Sequence, residues 1–128
     1  MQSWVALVSH PQPFQRSFEP LAVSRRYAGA MKTIPEDEAR RRLGSVPGWE
    51  LAGDAIRRQF TFRNFPDAIS YVVRLGFAAE GADHHPDILI NYKRVTLTYS
   101  THSAGGLTDK DFAGAEEATK LAAALEKA

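Results

Sequence analysis

The sequence predicts an α+β fold: a four-stranded antiparallel sheet with helices packed on one face, in the order α-β-β-α-β-β-α. Three observations carry this prediction. Two pairs of short stretches are each joined by a tight turn, at Gly53-Asp54 and Lys93-Arg94, and the longer strands alternate apolar and polar residues with a period of 2. Three longer stretches open with capping signals and continue with apolar residues at three- and four-residue steps. The links between them are short, so consecutive strands run antiparallel and the helices collect on one side. A chain of 128 residues, 44% hydrophobic and 24% charged, fits one soluble domain with a single core.

Residues 1–30 show no sustained period, and Pro11, Pro13 and Pro20 interrupt every candidate helix. An irregular, flexible extension is expected there, with 31–128 as the folded domain and Met31 as an alternative natural start. Its Arg and Ser content resembles a transit peptide, but the prolines oppose the amphipathic helix that such a peptide needs. His10 reads as a solvated loop residue. Order is predicted from Thr33, an N-cap followed by Pro35 and Glu36, with a helix running to about Leu43 and ended by a left-handed Gly44. Pro47-Gly48 turns the chain into strands Trp49–Leu51 and Ala55–Arg63. Ile56, Arg58, Phe60 and Phe62 share a face of the second strand, which leaves Arg58 on the apolar side.

Asn64 and Pro66 open the next helix, whose packing stripe is predicted as Phe65, Ile69, Val72, Val73, Gly76 and Phe77, ending near Glu80-Gly81. Strands Asp87–Tyr92 and Val95–Thr101 follow. Val95, Leu97, Tyr99 and Thr101 face one way, while Thr96, Thr98, Ser100 and, by continuation, His102 face the other. Ala104-Gly105-Gly106 forms a flexible turn. Thr108 with Asp111 resembles a capping box for a last helix with a buried stripe of Phe112, Ala115, Thr119, Ala122 and Leu125. An outer sheet face rich in Thr and Tyr, or an exposed edge strand, would serve as a dimer interface.

Composition removes several functions. With no cysteine, disulfides and thiolate chemistry are excluded. No apolar run approaches the roughly 20 residues that cross a bilayer, and the N-terminus lacks a secretory signal, so a cytoplasmic protein without membrane contact is expected. The net charge is +1, with Arg16, Arg25 and Arg26 against Glu19 giving residues 1–30 a charge of +2 and the remainder −1. A near-neutral domain carries no electrostatic footprint for nucleic acid.

Three of the four histidines fall between Glu80 and Asp111: His84, His85 and His102. Imidazoles titrate nearest neutrality, so the cluster points to proton transfer, metal binding or recognition of a polar ligand, with simple loop polarity as the bland alternative. A hairpin would return His102 beside the first pair, and Glu80 at a helix end can orient a ring and raise its pKa. A shared metal is awkward, because neighbours in extended chain point to opposite sides and no HExxH helix is present.

The run of Glu80, Asp83-His84-His85-Pro86, Tyr92, Thr101-His102 and Gly105-Gly106-Leu107-Thr108 leading to Asp111 resembles the pterin-4a-carbinolamine dehydratase family. The likeness covers about Met31 to Leu125, including the Pro47-Gly48-Trp49 turn and the Phe60/Phe62 strand. It implies dehydration of 4a-hydroxytetrahydropterin to quinonoid dihydropterin, the step that recycles the cofactor after aromatic amino acid hydroxylation, with no metal or cofactor. On the family pattern His84 and His102 do acid/base work and Glu80 tunes a histidine. His85, Pro86 and Ser103 bind the pterin. Asp111 is counted with them, but chiefly caps the last helix and braces the His102 loop. Ile88 and Leu89 stand where some relatives carry an aromatic residue, and Ser103-Ala104 varies in the flanking loop. The resemblance also implies a homodimer or homotetramer. Because animal relatives act as dimerisation cofactors for a transcription factor, a non-catalytic binding module is the alternative, with Ala113, Ala118 and Ala123 letting another helix approach.

Overall fold

The fold is that of a computed structural model, which describes residues 32–127; the expectations for residues 1–30, His10 and Met31 lie outside them. Helix α1 (Glu36–Arg42) runs into a 3-10 turn and leads to strands β1 (Glu50–Ala52) and β2 (Ala55–Thr61). Helix α2 (Phe65–Ala82), strands β3 (Asp87–Asn91) and β4 (Arg94–Tyr99), a 3-10 turn at His102–Ala104 and helix α3 (Asp109–Lys127) complete the order. All pairings are antiparallel, and the sheet order β1-β2-β4-β3 places β2 and β4 at the centre. The predicted α+β architecture is the one observed.

One sheet face carries the core. Ile56, Phe60 and Phe62 meet Val95, Leu97 and Tyr99 from β4 and Ile88 from β3, all buried. Against them α2 sets Ala68, Tyr71, Val72, Leu75 and Ala79, and α3 sets Phe112, Ala115, Ala118 and Ala122. The Tyr71 hydroxyl donates to the Ala118 carbonyl at 2.8 Å, and Trp49 Nε1 donates to Thr119 Oγ1 at 3.0 Å, so each buried polar group is satisfied where the helices meet. Arg58 does sit on the apolar side. Its guanidinium lies 4.4 Å from the centre of the Phe60 ring and donates to the Pro47 carbonyl at 2.9 Å, so the stem packs while the charge is spent on a cation–π contact and a turn.

Several predicted details are corrected. Helix α1 begins after Pro35, which is its N-cap, and Thr33 instead lies beside Gly106, with the Ile34 amide bonded to the Leu107 carbonyl at 2.7 Å. The left-handed glycine of that region is Gly48, at φ +94°. The β3–β4 turn falls at Tyr92-Lys93, with Tyr92 at φ +54°. The largest correction concerns α2. Its buried face is centred on Tyr71 and Leu75, while Phe65, Ile69, Val73 and Phe77 of the expected packing stripe are exposed. Ala118, expected to be available to another helix, is itself fully buried.

Candidate active site

Helix α2 ends one residue beyond Gly81, and Asp83 adopts the left-handed conformation at φ 53°. The Asp83 amide bonds to the Glu80 carbonyl and the His84 amide to the Ala79 carbonyl, both at 3.1 Å, a Schellman-type stop. Aspartate tolerates this geometry better than most residues with a Cβ. The turn sends the two histidines apart. His84 points inward, 12% exposed, and His85 outward, 45% exposed.

His84 Nε2 lies 2.6 Å from Oδ1 of Asp111, whose side chain is wholly buried. The other oxygen accepts from Thr101 Oγ1 at 2.7 Å and from the Thr108 amide at 2.9 Å. Thr101 spends its proton on Asp111, so Thr108 Oγ1 donates to Thr101 across their 2.8 Å contact. The predicted capping pair of Thr108 and Asp111 is therefore present and does more than cap. A single carboxylate ties the α2 exit, the end of β4 and the start of α3 together, and His102 directly follows the Thr101 that it holds. The isolated bridge between Thr101 and Gly106 closes the loop between them.

With its Nε2–H donated to Asp111, neutral His84 carries a lone pair on Nδ1, the form suited to accept a proton. Its ring stacks on Tyr99, with centroids 5.8 Å apart and planes 20° from parallel. Burial, and then the nearby Asp111 and Glu117 carboxylates, push the Tyr99 phenol above its ordinary pKa, so it stays protonated. His85 Nε2 lies 2.8 Å from Glu80 Oε1 at the surface, which places Glu80 on His85 and not on His84. His102 and Ser103 are exposed in their 3-10 turn.

Two residues expected to bind ligand sit differently. Pro86 is fully buried, and Asp111 has both oxygens engaged and no exposed surface. Each can shape the site, but neither presents a surface to a ligand. Sequence reasoning missed Thr101 as the bridge and Tyr99 as the ring under His84. The face that alternation gives both residues in common with Val95 and Leu97 was the available signal. Among the described residues no three His, Cys, Asp or Glu side chains converge to hold a metal. Beside His84 a cavity of about 400 Å³ opens between α2 and α3, lined by Leu75, Ala79, Tyr99, Lys110 and Glu117 among others.

Comparison with known proteins shows what the chain is similar to. The sequence model of pterin 4 alpha carbinolamine dehydratase matches residues 32–121. A protein of Roseiflexus castenholzii is 53% identical over 79 residues, 62% of this chain and 85% of its own length. One of Chloroflexus aurantiacus is 46% identical over 97 residues, 76% of this chain and 97% of its own. Both are named provisionally as pterin-4-alpha-carbinolamine dehydratases. The crystal structure of a transcriptional coactivator/pterin dehydratase from Brucella melitensis superposes with a TM-score of 0.69 at 32% identity, covering 71% of this chain and 99% of that one.

Proposed function

The chain belongs to the pterin-4a-carbinolamine dehydratase family, and from that premise we propose that it converts a 4a-hydroxytetrahydropterin to the quinonoid dihydropterin by histidine acid/base catalysis. The observation that carries this reading is the buried Asp111, which holds His84 through one oxygen and the Thr101-His102 strand end through the other. Dehydration breaks the C4a–O bond. An imidazolium protonates the departing hydroxyl, which leaves as water, and a neutral imidazole accepts the ring-nitrogen proton. His84 and His102 divide these two roles. His85, oriented by Glu80, and Ser103 hold the flat polar edge of the pterin. Asp111 positions His84 and the loop. Regeneration of a tetrahydropterin cofactor after aromatic hydroxylation is the physiological setting that fits, in a homo-oligomer working in the cytoplasm. No helix among the described residues is long and apolar enough to cross a membrane.

The test is the decay of chemically generated 4a-hydroxytetrahydropterin followed by absorbance. Wild type accelerates it, and His84→Ala and His102→Ala do not. Decay at the buffer rate with wild type rejects the enzyme reading. The exposed apolar side of α2 favours a second reading, a protein-binding module; an inactive protein that forms a stoichiometric complex with a purified partner would establish it.

A further inference from the structure

Tyr99 is 2% exposed, and its hydroxyl makes no hydrogen bond to any other described residue. Tyr71, also buried, differs: its hydroxyl is bonded to the Ala118 carbonyl. Every fully enclosed polar side-chain atom among the described residues has a partner. The Tyr99 hydroxyl is therefore not enclosed by protein, and the open space it reaches is the cavity of about 400 Å³ that Tyr99 lines between α2 and α3. Small residues keep that space open, Ala78 and Ala82 on α2 and Ala113 and Gly114 on α3. An unfilled apolar cavity and an unpaired phenol each lower stability, and a ligand with carbon to fill the one and an acceptor for the other relieves both. Burial keeps the phenol protonated, so it acts as a donor. Lys110 and Glu117, of opposite sign, stand on the walls, which suits an uncharged group.

His84 lines the same cavity and is 12% exposed, with Nε2 committed to Asp111. A substrate that exchanges a proton with it comes from this side. In a 4a-hydroxytetrahydropterin the reacting atoms are C4a and N5, and C6 is bonded to N5, across the bicycle from the pyrimidine edge. With that edge toward His85 at the surface, a substituent on C6 leads past His84 into the cavity. We propose that the α2–α3 cavity is the subsite for the C6 substituent, that this substituent is a short uncharged hydroxyalkyl chain, and that Tyr99 donates a hydrogen bond to it. Tyr99 then sets specificity and takes no part in proton transfer. The identity of the ligand as a pterin rests on the dehydratase reading.

Two carbinolamines that differ only in hydroxyls test the proposal, one with a dihydroxypropyl and one with a propyl group on C6. Wild type favours the first by about tenfold in kcat/KM, expressed in KM, as one net hydrogen bond gives. Tyr99→Phe keeps the ring and brings the ratio close to one. Ala78→Leu, which grows into the cavity, lowers kcat/KM for both compounds several-fold relative to a carbinolamine with hydrogen on C6. An active wild type without the preference, a preference that survives Tyr99→Phe, or an Ala78→Leu protein that treats the three compounds alike overturns the proposal. Stable dihydropterins with the same C6 groups, titrated calorimetrically, separate it from the dehydratase reading. A wild type without turnover that still binds the dihydroxypropyl compound more tightly than the propyl one, with the preference lost in Tyr99→Phe, rejects that reading and keeps the subsite. Neither turnover nor preferential binding overturns both.

Discussion

Asp111 accepts from three groups while fully buried, and the shortest of these contacts, at 2.6 Å, is to Nε2 of His84. Asp111→Asn tests what that contact does. The amide oxygen can still take the Thr101 and Thr108 donors, which leaves its NH₂ facing His84 and forces Nε2 to become the acceptor. The proton then moves to Nδ1, and His84 no longer presents a base. Turnover is expected to fall by about 10²–10⁴, and stability by about 1–3 kcal/mol for the weakened buried network. Steady-state kinetics and urea unfolding of the same preparation separate the two effects.

Gly114 is required by Tyr99. A Cβ at 114 would lie 2.5 Å from Cε1 and 2.7 Å from Cζ of the Tyr99 ring, distances that neither helix nor sheet can accommodate without moving. Gly114→Ala should therefore destabilise by about 1–3 kcal/mol despite the better helix propensity of alanine. Adding Tyr99→Leu should recover much of the loss, a coupling that a double-mutant cycle in urea reads directly. Additive effects would mean that α3 slides to accept the methyl.

The alkaline limb of stability should carry the mark of two tyrosines. Burial raises the pKa of both Tyr71 and Tyr99. Below the ordinary tyrosine value near 10 each is protonated whether folded or unfolded, and the stabilisation is fully present. As pH rises past that value only the unfolded chain releases the protons, so each tyrosine removes about 1.4 kcal/mol per pH unit. Wild type and Tyr99→Phe, compared by urea unfolding at several pH values above 10, should differ in slope by one proton. Equal slopes would show that Tyr99 ionises freely in the folded protein.

Much of this was legible in the chain, because period 2 on β2 and β4 and the Asn64 and Thr108 caps are local signals with local causes. The inward face of Tyr99 and the outward course of His102 followed from alternation alone. The α2 face was misread for a different reason. Phe65, Ile69, Val73 and Phe77 form an apolar stripe as regular as Ala68, Tyr71, Leu75 and Ala79, and periodicity cannot say which one meets the sheet. The larger residues won the prediction, whereas the fold buries the row whose small alanines admit β4 and α3 closely. The Glu80–His85 pairing was equally hidden. It depends on the left-handed turn at Asp83, two residues after the glycine expected to end the helix. The split of the two rings, one inward and one outward, was anticipated from their adjacency in sequence.

Glu80→Gln separates orientation from architecture. The Glu80–His85 contact of 2.8 Å lies at the surface, and exposed pairs of this kind contribute little to folding. The Tm should remain at the wild-type value, while KM for the carbinolamine rises several-fold as His85 loses its partner. An unchanged KM would remove Glu80 from the site.

His102→Ala should give the complementary result. The side chain is exposed, and no hydrogen bond joins it to the rest of the described residues, so its removal leaves the Thr101–Asp111–Thr108 network and the Tm intact. If His102 supplies one of the two proton transfers, kcat falls by about 10²–10⁴ with KM little changed, because the interaction lost is made in the transition state. The pH–rate profile carries the distinction. Wild type should give a bell, since one imidazole must be charged and the other neutral, and His102→Ala should retain only one limb. A variant with the full bell and undiminished kcat would assign both transfers to His84 and His85.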